Sequence, residues 1–238
     1  MKMKRIKKLL KRPARRKLVH LSRRDGFMLC IGVGLALVAL VIGKEMQVQP
    51  TPLAATGGIT IPWVPASVKQ WQQPITQMAQ KYDIDPNLLA IIMTMESGGY
   101  AKADSGQAQG LMQITPPTAQ DIASKYLKKP VASYNIWDPK TNIEFGAAYL
   151  AHLRDVFGTS DQAPSWNVTV ELIAAGYNGG PGAASSLEKG DGLHDVQTVS
   201  YSRDAYNMWR ERHASNSPTF DRWKERGGID LLQKAQNP

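Results

Sequence analysis

The feature that most constrains this chain is a helix-opening signal that recurs along it. Asp85-Pro86, Thr115-Pro116 and Asp138-Pro139 each place a side-chain acceptor directly before a proline. An N-cap Asp or Thr satisfies a free backbone N–H of the first turn. Proline at the next position has no N–H to lose, and its φ is already set for a helix. The first signal predicts a helix carrying Leu88, Leu89, Ile91, Ile92, Met93 and Met95 and stopping near Ser97, because Gly98-Gly99 follow. The third opens the longest predicted helix, residues 139–157, ended by Gly158, with Ile143, Phe145, Ala147, Ala148, Leu150, Ala151 and Leu153 as its apolar set. Residues 68–82 carry Val68, Trp71, Ile75, Met78, Ala79 and Tyr82 at helical spacing. Further helices fit residues 167–177, 181–188, 200–213 and 218–235, and alternating strand patterns are scarce. The expected fold class is mostly α.

Charge divides the chain. The formal net charge is +9, from 29 Lys+Arg against 20 Asp+Glu, which on its face suits a nucleic-acid binder. Twelve of those basic residues lie in residues 2–24, which hold no acid, leaving 17 basic against 20 acidic residues beyond. The body is thus mildly acidic, and the basic excess belongs to a tail. No aromatic residue interleaves the tail, and an apolar run follows it directly, so a topology and anionic-lipid role is expected, with no nucleic-acid partner.

That run, residues 27–43, reads FMLCIGVGLALVALVIG. As a helix it spans about 25 Å against a hydrocarbon core of ~30 Å, and the flanking Arg24 and Lys44 can extend it by snorkelling. A cleaved signal peptide is the rival. Val41-Ile42-Gly43 makes a poor cleavage site and the basic region is long, so a retained transmembrane anchor is expected. Leu29 before Cys30 does not fit a lipoprotein signal. The positive-inside rule places the basic tail, residues 1–26, in the cytoplasm and the chain after residue 43 outside the inner membrane, in the periplasm. Residues 44–67, with Pro50, Pro52, Pro62, Pro65 and Gly57-Gly58, read as an extended linker, and residues 68–238 as the folded domain. A hydrophobic content of 42% is enough for a core there. With Cys30 the single cysteine, a disulfide framework and a cysteine-ligated metal site are excluded within one chain. His20, His152, His194 and His213 show no metal-ligand spacing.

Three segments can carry chemistry. Glu96 ends a helix in which seven of the eight preceding residues are apolar. A carboxyl group in that setting is desolvated, and desolvation raises its pKa toward that of a general acid at neutral pH. The structural alternative is a glutamate on the solvated side of a helix end. Next comes Gly110-Leu111-Met112-Gln113-Ile114 after the small-residue loop Ala103–Gln109. Small residues let backbone approach a ligand, and Gln113 both donates and accepts, as a sugar N-acetyl group requires. The third is Gly176-Tyr177-Asn178-Gly179-Gly180-Pro181-Gly182, where a polar Tyr-Asn pair closes a helix. Its structural alternative is a plain helix C-cap. Among the tryptophans, Trp137 and Trp166 are candidate sugar-stacking residues and Trp209 and Trp223 are read as core.

Met95-Glu96-Ser97, Gly110-Leu111-Met112-Gln113-Ile114 and Gly176–Gly182, in that order and spacing, resemble the catalytic SLT domain of family 1 lytic transglycosylases. The resemblance covers about residues 75–210 and implies a goose-type lysozyme-like fold, which the apolar run 27–43 would precede as an N-terminal transmembrane helix. It implies that Glu96 is the single catalytic acid/base, that Ser97 beside it orients substrate or carboxyl, and that Met112 and Gln113 contact the glycan. Tyr177 and Asn178 match a pair that contacts the glutamate and the sugar. The family has a later tyrosine, often in Glu-Thr-Arg-x-Tyr, near the carboxyl. The nearest stretch here is Tyr201-Ser202-Arg203-Asp204-Ala205-Tyr206, which lacks the Glu and is one residue too long, so Tyr206 is carried over with Tyr201 as its rival. Gly176 stands where the family more often has Ala.

The resemblance further implies a peptidoglycan substrate, cut at the MurNAc–GlcNAc β-1,4 bond with a 1,6-anhydro end, and no cofactor or metal. Two other readings remain. If Asp104 positions a water, the enzyme is a lysozyme-type hydrolase of the same bond. A non-catalytic glycan-binding scaffold would tolerate loss of the Glu96 carboxyl. Service to a wall-spanning secretion, conjugation or pilus apparatus is a context suggested by family habit, alongside general wall turnover.

Overall fold

The computed structural model describes residues 57–130, 133–158 and 166–236. The expected basic tail and transmembrane anchor, and most of the linker, lie outside those residues. Among the described residues no helix is long and apolar enough to cross a membrane.

The described chain is helical: α1 Ala66–Lys69, α2 Gln72–Tyr82, α3 Pro86–Ser97, α4 Pro116–Asp121 running into a π-helical turn Ile122–Leu127, α5 Pro139–Phe157, α6 Trp166–Gly179, α7 Pro181–Glu188, α8 Val196–Arg210, α9 Pro218–Trp223, a second π-helical turn Lys224–Gly228, and α10 Ile229–Gln236. Extended pairing among the described residues is confined to isolated bridges, Asp104 with Gln109 and Gln109 with Ile114. All three cap-plus-proline signals open helices. Asp85 accepts from the Asn87 N–H, Thr115 from that of Thr118 and Asp138 from that of Thr141. Asp195 and Ser217 cap α8 and α9 in the same way.

Three expected helices differ in extent. Residues 68–82 form two helices, broken at Gln70 and Trp71. The helix expected over 200–213 begins earlier, at Val196, and ends at Arg210. The one expected over 218–235 is kinked where Gly227 takes φ 110°, a conformation open to glycine and strained for other residues. The folded body also starts before residue 68: Ile61 and Val64 are buried in the core, and the Thr60 N–H donates to Asn87 Oδ1 at 2.8 Å.

The core is built around α3. Every residue from Pro86 to Met95 is buried, as is Ser97. A helix apolar on all sides must be covered on all sides, and α1, α2, α8 and α10 pack against it. Truncating Leu89 or Ile91 to alanine is expected to cost about 2–5 kcal/mol. The remaining residue of α3 is Glu96, which is partly exposed. Outside this centre, α6 packs on α5, α7 and α8, which sets the end of α6 beside the end of α3.

Candidate active site

Glu96 reaches the surface at the last turn of a helix that is otherwise sunk in the core. The residue is partly exposed, yet its carboxyl is largely stripped of water. Burial therefore pushes its pKa up from 4.5 to about 7, against the opposing pull of a hydrogen bond from Tyr201. Tyr201 Oη donates to Glu96 Oε1 at 2.5 Å. Among the described residues no lysine or arginine forms an ion pair with Glu96. Burial, and then the neighbouring Glu96 charge, hold the Tyr201 phenol well above its ordinary pKa, so it is a donor and not an anion.

The segment after α3 is fastened to it from beneath. Ser97 is fully buried, and its hydroxyl donates to the Leu111 carbonyl at 2.7 Å. Asn142 on α5 does the rest. Its Oδ1 accepts from the Met112 N–H at 2.7 Å, and its Nδ2 donates to the carbonyls of Gln109 and Ile136 at 2.8 and 2.9 Å. Gly110 has φ +77°, and a Cβ there would collide with the Asn142 amide. Glycine is thus required both for the turn and for the close approach. Gln113 takes φ 46°, unusual for a residue with a side chain. The turn aims Gln113 at the groove. Its Nε2 donates to the Ala103 and Gly110 carbonyls at 3.1 and 3.0 Å, which leaves the side-chain oxygen as the free acceptor of the amide.

The end of α6 supplies the opposite wall. Tyr177 Oη donates to the Met112 carbonyl at 2.8 Å, and its ring lies 5.5 Å from that of Tyr149 on α5. Burial raises the pKa of both phenols, that of Tyr149 to about 12. Asn178 Oδ1 accepts from Thr198 Oγ1 at 3.0 Å, so its amide nitrogen is left for the groove.

Glu96 sits where two hollows meet. One, of about 470 Å³, is bounded by Gln113, Tyr149, Tyr177, Asn178 and Tyr201. The other, of about 570 Å³, runs past Tyr100, Lys102 and Asp104 to Leu231 and Lys234, and shares Glu96, Ser105 and Gln113 with the first. A third, of about 520 Å³, continues from Gln107, Asn178 and Gln197 toward Ser186 and His194. Together they make one groove with Glu96 in its floor.

The structure thus brings Glu96, Gln113, Tyr177 and Asn178 together. Met112 reaches the site through its backbone alone, because its side chain is buried against Gly146. Ser97 acts beneath the site, on the Leu111 carbonyl. Of the two rival tyrosines, Tyr201 meets Glu96, whereas the Tyr206 ring lies under the Arg210 guanidinium, 5.6 Å away. Asp104 is exposed, and its Oδ1 accepts the Gly106 N–H at 2.8 Å. Trp209 is buried and Trp223 packs on the core. Trp137 is 40% exposed but borders none of the three hollows. Sequence reasoning missed Asn142 and Tyr149. A lone asparagine or tyrosine inside a helix carries no signal of its own.

This chain shares sequence with a known family. The profile of the transglycosylase SLT domain matches residues 73–198. Membrane-bound lytic murein transglycosylase C of Salmonella arizonae is 31% identical over 146 residues, which are 59% of this chain and 40% of that protein. Its counterpart in Serratia proteamaculans is 28% identical over 186 residues, 74% of this chain and 51% of the relative. Membrane-bound lytic murein transglycosylase E of Buchnera aphidicola is 39% identical over 95 residues, 38% of this chain and 42% of that one. The chain therefore spans about half the length of these relatives, or less. Among solved structures, an inactive mutant of lytic transglycosylase Slt from Pseudomonas aeruginosa aligns with a TM-score of 0.47 at 23% identity, over 62% of this chain and 25% of that one.

Proposed function

The chain belongs to the transglycosylase SLT domain family, and from that membership and the setting of Glu96 we propose that it is a membrane-anchored lytic transglycosylase acting on the MurNAc–GlcNAc β-1,4 bond of peptidoglycan. The observation that carries the reading is Glu96 itself, a carboxyl at the centre of a groove that burial keeps protonated up to about pH 7.

Protonated Glu96 donates to the bridging oxygen as the glycosidic bond breaks through an oxocarbenium-like state. The N-acetyl oxygen of MurNAc stabilises C1 from within the substrate, so no enzyme nucleophile is needed. Glu96, now ionised, takes the proton of the C6 hydroxyl on the same sugar. That oxygen closes on C1 and leaves a 1,6-anhydro end, and Glu96 is protonated again. Closure within one sugar gains from high effective molarity. Tyr201 supports the second half. Its hydrogen bond favours the ionised carboxylate, while the lack of an ion pair to Glu96 among the described residues keeps the acid form accessible. The Gln113 oxygen and the Asn178 amide offer an acceptor and a donor to the N-acetyl groups, and Tyr149 and Tyr177 give an aromatic wall.

A usual two-carboxylate glycosidase needs a second Asp or Glu about 5–9.5 Å away to serve as nucleophile or base. Asp104 borders the groove, and its exposure and its bond to Gly106 suit a loop-shaping role better than water activation. The apolar run 27–43 and the basic tail before it support a single-pass inner-membrane anchor with the catalytic domain in the periplasm, where local wall opening for a secretion, conjugation or pilus apparatus is one use.

Mass analysis of soluble products from purified peptidoglycan treated with the full chain tests the reading. Anhydro-ended muropeptides are expected. Hydrated reducing ends would make the protein a hydrolase, and binding without release would make it a scaffold.

A further inference from the structure

The groove is electrically lopsided about Glu96. The arm toward α10 is bordered by Lys102 and Lys234, both exposed. Among the described residues neither forms an ion pair. Leu231 adds an apolar surface beside them. The carboxylate in this arm, Asp104, is partly engaged by the Gly106 N–H. The arm on the other side is bordered by the neutral Asn178, Ser186 and Gln197, with His194 and Asp195. Asp195 is tied to the start of α8 by the Thr198 N–H at 2.7 Å. One arm thus offers two uncommitted ammonium groups and the other offers none. Lys234 and Leu231 also come from α10, beyond the residues 73–198 that match the family profile, so the C-terminal segment builds this wall.

We infer that the lysine-bordered arm receives the anionic peptide branch of the glycan strand, with its carboxylates at Lys102 and Lys234 and its methyl groups against Leu231, and that the neutral arm receives sugar alone. The inference rests on the proposed murein substrate and adds a direction to the groove, since the branched sugar must lie with its peptide toward α10. Exposed ion pairs give a gain of at most about fivefold each and are screened by salt. The pair therefore tunes which strands are cut and does not supply the chemistry.

Binding by the full chain carrying Glu96→Gln, in detergent, tests this on glycan strands with their peptides and on the same strands stripped by an amidase. Peptide-bearing strands are expected to bind about tenfold more tightly at low salt. High salt should shrink that preference, and Lys102→Gln/Lys234→Gln should remove most of it. Equal affinity for both strands overturns the inference, as does a preference that the double variant keeps. The substrate reading fails differently: a wild-type chain that shows the peptide preference yet releases nothing refutes the chemistry and leaves the lysine arm standing. Binding to neither strand refutes both.

Discussion

Glu96 and Glu144 are both carboxylates drawn in from solvent, and each accepts a tyrosine hydroxyl, from Tyr201 at 2.5 Å and from Tyr82 at 3.0 Å. Their protons nevertheless behave in opposite ways. At Glu96 burial dominates and lifts the pKa to about 7. At Glu144 burial also pushes upward, but hydrogen bonds from Lys129, Lys81 and Tyr82 outweigh it and hold the carboxyl below its usual value. The ammonium groups lie 2.5 Å (Lys81) and 2.6 Å (Lys129) from the two Glu144 oxygens. Desolvation is common to both sites, and the lysines are the difference. A buried carboxylate paired with cations is a structural tie across α2 and α5, whereas one that among the described residues has no cation in an ion pair with it stays poised to give up a proton near neutrality.

The comparison predicts four results, largest first. Glu96→Gln should keep the fold, retain the Tyr201 contact and lower the rate of glycan release by about a thousandfold or more, as loss of a general acid/base does. A fully active variant would break the assignment. The same substitution should raise stability at high pH. Because the folded-state pKa lies above the unfolded value of 4.5, the unfolded chain binds fewer protons between those values, and wild-type stability falls as pH rises from about 4.5 through about 7. Removing the charge should therefore gain up to about 3 kcal/mol at pH 8 and nothing at pH 4, which denaturant titration at both pH values will read. Third, Tyr201→Phe should lower the rate about tenfold and move the basic limb of the pH–rate profile to higher pH, since it removes the bond that favours the carboxylate. Tyr206→Phe should do neither. Last, Glu144→Gln should leave the pH profile in place but cost about 1 kcal/mol at neutral pH, a loss that vanishes as pH falls through the folded pKa of Glu144.

Much of the fold was legible because its signals are local. The proline caps at Asp85, Thr115 and Asp138 are readable from two residues each, and the apolar stretch before Glu96 announces a helix buried on all sides. α8 starts earlier than the sequence pattern predicts because Val196, Thr198 and Val199 carry weak helix propensity, and the Asp195 cap decides the matter. The choice between the two tyrosines shows where motif spacing runs out. The buried face of α8 carries Thr198, Ser202, Ala205, Met208 and Trp209. Tyr201 lies one turn before Ala205 and two turns before Met208, on the border of that face. Tyr206 is turned from Tyr201 by about 140° at 100° per residue. Tyr206 also borders that face, one turn after Ser202, so periodicity leaves both tyrosines open and the hydrogen bond from Tyr201 to Glu96 separates them. Asn142 was not legible, because its importance comes from three backbone groups that reach it across the fold.

The central claim is that Glu96 holds its proton toward neutral pH because burial dominates and no cation among the described residues pairs with it. Carbon-13 NMR of the glutamate side-chain carboxyls, followed from acid to alkaline pH and assigned with Glu96→Gln and Glu144→Gln, measures it directly. The account predicts a Glu96 midpoint near 7 and a Glu144 midpoint below the ordinary value of 4.5. A Glu96 midpoint at or below that ordinary value would contradict it.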